Sequence, residues 1–428
     1  MIILGLDIGT TTVSAVVAEN GVVLESVTKS HDSFLKNSPA YERAQDVAGL
    51  RAAALDAVAK LTAKYPVERI GITGQQHGIL YLNDRGKPLS PLYTWQDGRG
   101  NEPYEDGTYA SVLSRKTGYA VASGYGLVTH FYNLQHGLVP AGAAALTTIH
   151  DFLAMVLCGL TRPITEPSDA QSLGFFDLAA DDFDRETLEK LGIDPAILPK
   201  VVRKAFVGST PEGIPVAVPI GDNPASYLGV TEGRDGVLVN VGTGSQISVH
   251  TPEPVPLAGL ELRPYPLGGY LQVGAALCGG RAWAMTERFF SDALFAFTGQ
   301  RREVYADLDK LLDTVPDGTE PKVETTFDGT RADPAKRGSV TGLSRGNFTP
   351  AHLALGVLHG MTDELYTMYR GYLDAGLPPK KLLIGSGNGL RKNRHLRRIT
   401  ESTFGMVLTM STQNEEAALG AAMYAERI

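Results

Sequence analysis

Two stretches of the chain, 233 residues apart, share one pattern: an apolar run, a polar Gly/Thr turn and a second apolar run. The first copy is Ile2–Leu6, the turn in Asp7-Ile8-Gly9-Thr10-Thr11-Thr12, and Val13–Ala18. The second is Gly236–Val241, Gly242-Thr243-Gly244-Ser245, and Gln246–His250; laying LDIGTT over VNVGTG pairs Asp7 with Asn240. A strand-turn-strand unit that returns after half the chain predicts two domains of related fold.

Around the first copy the pattern continues. Asn20-Gly21 is a hairpin signal, Val22–Val27 a third strand, and Val47, Leu50, Ala54, Leu55, Val58 and Leu61 recur at helical spacing within 46–65, ahead of Pro66. A strand over 69–73 follows, so strands and helices alternate as in an α/β domain. The Gly- and Pro-rich segment 207–221 places the boundary, giving domains 1–217 and 218–428. Residues 251–266 and 313–338 read as surface loops.

Composition excludes several classes of function. With 428 residues, 43% apolar and 20% charged, the chain has the usage of a globular protein, and 39 basic against 47 acidic residues give a net charge of −8. That balance favours small-molecule partners over nucleic acid. The basic run 391–398 contains no aromatic residue and reads as a solvated helix face. Two cysteines, Cys158 and Cys278, cannot make a disulfide scaffold or a cysteine-rich zinc site. The N-terminus has no basic region typical of a signal peptide. The apolar helix over 152–160 falls short of the roughly 20 residues that span a membrane, so a cytoplasmic protein is expected.

The unusual count is glycine, 48 residues, or about 11% against a usual 7%. Three Gly-rich turns sit where a nucleotide needs them. In the first, Gly9, Thr10, Thr11 and Thr12 offer backbone donors and hydroxyls to phosphate oxygens, while the Asp7 carboxylate suits Mg²⁺. The second, Gly242 to Ser245, repeats the donors with Asn240 in place of the acid. The third, Gly385-Ser386-Gly387-Asn388, follows a strand over 381–384 and precedes a helix from about Lys392, so it can lie against a base or ribose.

Phosphoryl transfer also needs a base for the acceptor hydroxyl. Asp222, in Gly221-Asp222-Asn223-Pro224, is the candidate; the plain alternative is a helix N-cap. Gln76 and His77 in GQQHG, with Trp95, Asp97 and Arg99 in TWQDGR, supply the ring, amide and charged groups that stack on a sugar and pair its hydroxyls. Here the alternative is a turn held by an Asp97–Arg99 ion pair.

DIGTT (7–11), GQQHG (74–78), TWQDGR (94–99), GDNPAS (221–226), VGTGS (241–245) and GSGNGLRKN (385–393) occur in the order seen in the FGGY carbohydrate kinases, and EEAALGAAMYA (415–425) resembles that family's closing helix. The resemblance spans essentially the whole chain. It implies an α/β, two-domain actin-like ATPase (ribonuclease H-like) fold with the active site in the inter-domain cleft. It further implies ATP and Mg²⁺ as cofactors, Asp222 as general base, Asp7 at the metal, and phosphate contacts from Gly9 to Thr12 and Gly242 to Ser245. Gly385 to Asn388 would border the adenosine, and Gln76, His77, Trp95 and Asp97 would touch the sugar. TWQDGR with TIHDFLAMVLCGLTRP (148–163) is most similar to the members that act on sedoheptulose, and next to those that act on xylulose. A lysine usual near 125–134 is absent from GLVTHFYNL, and the chain is shorter than many members. No membrane or nucleic-acid partner is expected, and a homodimer is one assembly open to it. The competing class is an actin-like ATPase that takes no sugar.

Overall fold

The structure is a computed structural model that describes every residue except Asn37, Arg331, Ala332, Pro334 and Gln413. The chain forms two compact units: Met1–Gly233 with Pro264–Gly269 and Gln413–Ile428, and Arg234–Arg263 with Tyr270–Thr412.

The first unit opens with β1 (Ile2–Ile8), β2 (Thr12–Glu19) and β3 (Val22–Ser30), an antiparallel meander. Asn20 and Gly21 both take positive φ, as the tight turn between β2 and β3 requires. Helix α1 (Val47–Thr62) is capped by the Asp46 carboxylate, which accepts the Ala48 and Gly49 N–H groups. Strand β4 (Arg69–Gly74) then pairs parallel to β1. After a long excursion that includes α2 (Ile149–Leu157), the chain returns through β5 (Phe206–Ser209), β6 (Pro215–Ala217) and β7 (Ile220–Gly221) to α3 (Asp222–Thr231). The sheet order is β5-β6-β4-β1-β2-β3, with β7 also on β4.

Strand alternation divides the core between the two faces of this sheet. Leu4, Leu6 and Ile8 join Leu50, Ala54 and Leu61 of α1 and Phe152 of α2, whereas Ile3 and Val16 join Leu228 of α3 and Leu419 and Ala422 of the C-terminal helix, Glu416–Glu426. That helix docks backbone to backbone. A Cβ at Gly5, Gly71 or Gly229 would fall on the carbonyls of Ala418, Ala421 and Glu416, and one at Gly420 on that of Ala225. The Arg69 guanidinium donates to the carbonyls of Ala425 (2.9 Å) and Ile428 (2.8 Å).

The second unit has β8 (Val237–Val241), β9 (Ser245–Thr251), β10 (Glu261–Pro264), β11 (Tyr270–Ala276), helices α4 (Gly280–Thr298), α5 (Tyr305–Leu312) and α6 (Pro350–Asp374), then β12 (Leu383–Ser386), α7 (Asn388–Lys392), α8 (Arg394–Phe404) and β13 (Leu408–Met410). Its sheet runs β10-β11-β9-β8-β12-β13. β8 pairs antiparallel with β9 and parallel with β12, as β1 does with β2 and β4. Asn240 lies across from Ser386 just as Asp7 lies across from Thr73. The duplicated hairpin is thus the visible part of a duplicated ribonuclease H-like sheet, and the protein has the actin-like ATPase fold.

Three expectations need correction. The units divide after Gly233, not 217, because α3 packs its Ala225 and Leu228 into the core of the first sheet, and the C-terminal helix joins them there instead of closing the second domain. The expected loop 251–266 contains β10; in 313–338, residues 331, 332 and 334 lie outside the described residues, and Lys322–Glu324 forms a strand paired with Ser339–Thr341. The strand expected over 381–384 is shifted to Leu383–Ser386, and the helical segment after it already begins at Asn388.

Candidate active site

The site on the first unit is built at the carboxyl ends of three parallel strands. Ile8 of β1 and Gly221 of β7 both lie across from Gly74 of β4, so Asp7, the GQQHG segment and Asp222 are gathered at one edge of the sheet. Asp222 is the first residue of α3; the N-cap is Gly221, without a side-chain capping bond, so the N-cap reading of Asp222 does not hold. Asp7 is its electrostatic neighbour. Burial, and next the Asp222 charge, pushes the Asp7 carboxyl up to about 7, with His150 acting the other way. Asp7 Oδ1 is buried and accepts no hydrogen bond. A cation relieves both penalties, so this carboxylate fits Mg²⁺.

Gln76 and His77 are held from behind by a short polar segment. Gln76 Nε2 donates to the Ser168 carbonyl at 2.8 Å, and the Ser172 hydroxyl accepts the His77 N–H at 3.1 Å. The His77 ring sets Nδ1 2.6 Å from the Ser172 carbonyl and stacks on Tyr125 with centroids 4.5 Å apart. His77 has a φ of 72°, uncommon for a residue with a side chain. A Cβ on Gly221 would strike the Gln76 amide, so Gln76 lies directly against the residue before Asp222. Below this layer, buried His150 and Asp169 meet at 2.8 Å, and Thr148 donates to the same carboxylate. Asp151 brings a third possible ligand within 4.8 Å of both.

The TWQDGR segment splits. Trp95 is half exposed and its Nε1 donates to Thr10 Oγ1 at 3.0 Å, which joins the two motifs. Asp97 and Arg99 are paired in the interior. Both are almost fully buried: Arg99 Nε donates to Asp97 Oδ1 at 2.6 Å, Nη2 donates to Glu42 at 3.0 Å, Nη1 donates to Asn133, and the guanidinium lies 4.2 Å from the Tyr93 ring. The ion pair of the alternative reading is present, in the interior rather than at the surface.

The Gly9–Thr12 turn is tied at each carbonyl. Gly9 N–H donates to Thr12 O (2.9 Å), His31 N–H donates to Thr11 O (3.0 Å), His31 Nε2 sits 3.3 Å from Gly9 O, and Gln45 Nε2 donates to Thr10 O (2.7 Å). The Thr10 hydroxyl directs its proton to Gln75 Oε1 at 3.3 Å, so it does not offer that proton to a phosphate.

The second unit holds its own cavity, about 1240 Å³, lined by Gly242 and Thr243, by Gly387, Asn388 and Gly389, and by Trp283 and Tyr305 among others. Gly387, at φ 85°, and Gly389 both press on Val241, where a side chain would collide. Of the expected adenosine-side residues, Gly387 and Asn388 reach this cavity; Gly385 and Ser386 do not. They belong to buried β12, where Ser386 accepts the Asn240 amide at 2.6 Å. Gly244 and Ser245 likewise lie outside the lining, Ser245 being buried at the start of β9. The basic run is a solvated helix face whose arginines are paired: Arg394 with Asp309 and Asp313, Arg398 with Asp317, while Arg397 donates to backbone carbonyls. Trp283 and Tyr305 gave no sequence signal, because isolated aromatic residues in a helical pattern look like core.

Residues 2–229 match the N-terminal domain, and 237–427 the C-terminal domain, of the FGGY family of carbohydrate kinases. The chain is 28% identical to sedoheptulokinase of Mus musculus (98% of this chain, 96% of the relative) and 27% identical to that of Homo sapiens (99% and 96%). Among solved structures, xylulose kinase from Rhodospirillum rubrum superposes with a TM-score of 0.86 at 23% identity, covering 100% of this chain and 89% of the other, and gluconate kinase from Lactobacillus acidophilus with 0.84 at 22%, covering 100% and 88%. No helix among the described residues is long and apolar enough to cross a membrane. With both domain matches spanning nearly the whole length and the duplicated sheet in place, the chain belongs to the FGGY family of carbohydrate kinases.

Proposed function

We propose that the protein is an ATP- and Mg²⁺-dependent ketose kinase that converts sedoheptulose to sedoheptulose 7-phosphate. The observation that carries this reading is the near full-length similarity to two sedoheptulokinases, on a chain whose Asp7 and Asp222 lie at one sheet edge.

In this reading Asp222 Oδ accepts the proton of the terminal hydroxyl as its oxygen attacks the γ-phosphorus; the new O–P bond replaces the bond to ADP. Its place at the first position of α3 puts the carboxylate beside the positive end of that helix. Asp7 would hold Mg²⁺, which supplies charge neutralisation for the phosphates. Donors of the Gly9–Thr12 turn and of Gly242 and Thr243 would bind phosphate oxygens, and the cavity bounded by Gly387, Asn388, Trp283 and Tyr305 would take the adenosine. Gln76, His77 and Trp95 would orient the sugar. The two free thiols suit a reducing, cytoplasmic setting.

Xylulose is the second choice, because TWQDGR and residues 148–163 are next most similar to the members that act on xylulose. The test is a panel of sedoheptulose, xylulose, ribulose, fructose and glycerol, scored for ADP release and sugar phosphate formed. Sedoheptulose is expected to give the highest kcat/KM. A different best sugar reassigns the substrate, and ATP hydrolysis indifferent to every sugar overturns the kinase reading.

A further inference from the structure

One hydrogen-bonded circuit joins Trp95 to the Gly9–Thr12 turn through Gln45 and Gln75, two residues that the mechanism above does not use. Trp95 Nε1 donates to Thr10 Oγ1 (3.0 Å), Thr10 Oγ1 to Gln75 Oε1 (3.3 Å), Gln75 Nε2 to Gln45 Oε1 (2.8 Å), and Gln45 Nε2 back to the Thr10 carbonyl (2.7 Å). The circuit starts at a half-exposed indole and closes on the main chain of the Gly9–Thr12 turn. Gln45 and Gln75 are almost entirely buried. Two buried primary amides are costly unless their donors and acceptors are matched, and here each gives one hydrogen bond and takes one within the circuit.

The geometry acts on the turn in a definite sense. In a trans peptide the N–H points opposite to the C=O of the same plane. Gln45 pulls the Thr10 carbonyl towards the protein and His31 faces the Gly9 carbonyl, so the N–H groups of Thr11 and Thr10 are turned the other way. A short run of such donors is an anion-binding arrangement.

We propose that Gln45 and Gln75 are positioning residues that fix the Gly9–Thr12 turn through Thr10, and that Trp95 ties this turn to the sugar side. The proposal rests on the kinase reading for what the turn binds, but the circuit can be tested without it. Indirect action of this kind makes ATP affinity depend on Gln45 and Trp95, neither of which is assigned a nucleotide contact.

The chain has two tryptophans, Trp95 and Trp283, so protein labelled at the indole nitrogen gives two N–H signals in NMR. Gln45→Leu, which does not contact Trp95, is expected to shift the Trp95 signal and leave that of Trp283 in place. In steady-state assays Gln45→Leu and Trp95→Phe are each expected to raise KM for ATP about two- to tenfold, the range set by one hydrogen bond, with the double variant no worse than the stronger single one. Thr10→Val is expected to do the same and Thr10→Ser to restore the native value; this pair decides the question if Gln45→Leu does not fold. An unmoved Trp95 signal, or effects on KM that multiply independently, would overturn the circuit. If native protein uses no sugar, the kinase reading falls while the NMR result still decides for or against the circuit.

Discussion

Arg99 Nε lies 2.6 Å from Asp97 Oδ1 in a pair with almost no solvent exposure, and Asp97 Oδ2 also accepts the Arg43 N–H at 3.1 Å. This pair pins the segment that carries Trp95, two residues before Asp97. Removing Asp97 takes the bidentate carboxylate from the buried Arg99 guanidinium and leaves it Glu42 as carboxylate partner. Asp97→Asn is therefore expected to lower stability by about 3–5 kcal/mol in urea unfolding, with Arg99→Ala at least as damaging. A variant of native stability that had lost only sugar affinity would return Asp97 to the sugar site.

Asp222→Asn is expected to fold normally, since the amide keeps the size and shape of the carboxyl at the first position of α3. Turnover should fall by about 10²–10⁴-fold, as for a positioned base, while ATP binding persists. Single-turnover assays with native-like circular dichroism check this, and near-native turnover would remove Asp222 from the base role.

Asp7→Asn removes a carboxyl that burial and Asp222 hold up at about 7. At pH 8 the native Asp7 is ionised at a cost, which the amide escapes. Without metal the variant should melt at or above the native temperature, and Mg²⁺ is expected to raise the melting temperature of the native protein but not that of the variant. Equal Mg²⁺ shifts in both proteins would exclude Asp7 as a ligand.

His130 supplies a pH test away from the site. Burial pushes its imidazole down to about 4, and Tyr81 Oη lies 2.8 Å from Nδ1. The unfolded chain binds this proton near 6.5, so the contribution is whole above 6.5 and is lost as pH falls towards 4, by up to about 3 kcal/mol. Asp7 and Glu166, both held up at about 7 mainly by burial, act with the opposite sign. The difference between native protein and His130→Phe isolates the imidazole: the variant should lose less stability between pH 7 and 4.5 in urea titrations, and parallel curves would refute the assignment.

The hairpin repeat was legible because two-residue periodicity and Gly/Thr turns are local properties, and the pairing of Asp7 with Asn240 survives in the two sheets. The same holds for Asp222, whose Pro224 marks a helix start. What was hidden depends on contacts between distant residues. Nothing near Arg99 says that Glu42, Tyr93 and Asn133 will enclose it, so a guanidinium in a polar motif reads as a ligand contact. Gln75 stands inside a recognised motif, yet its neighbour Gln45 across the turn cannot be found from spacing alone. Glycines 5, 71, 229 and 420 explain part of the glycine surplus by close packing of backbones, a contact that no turn motif signals.

The placement of the C-terminal helix also has a consequence for biosynthesis. Residues 416–426 are made after the whole of 234–412, yet they cover one face of the sheet that begins at Ile2. While the ribosome works through the second unit, Gly5, Gly71 and the apolar side of α3 await their cover, so the nascent first half is the part most in need of a chaperone. A frameshift just ahead of residue 416 would injure the sheet laid down about 400 residues earlier.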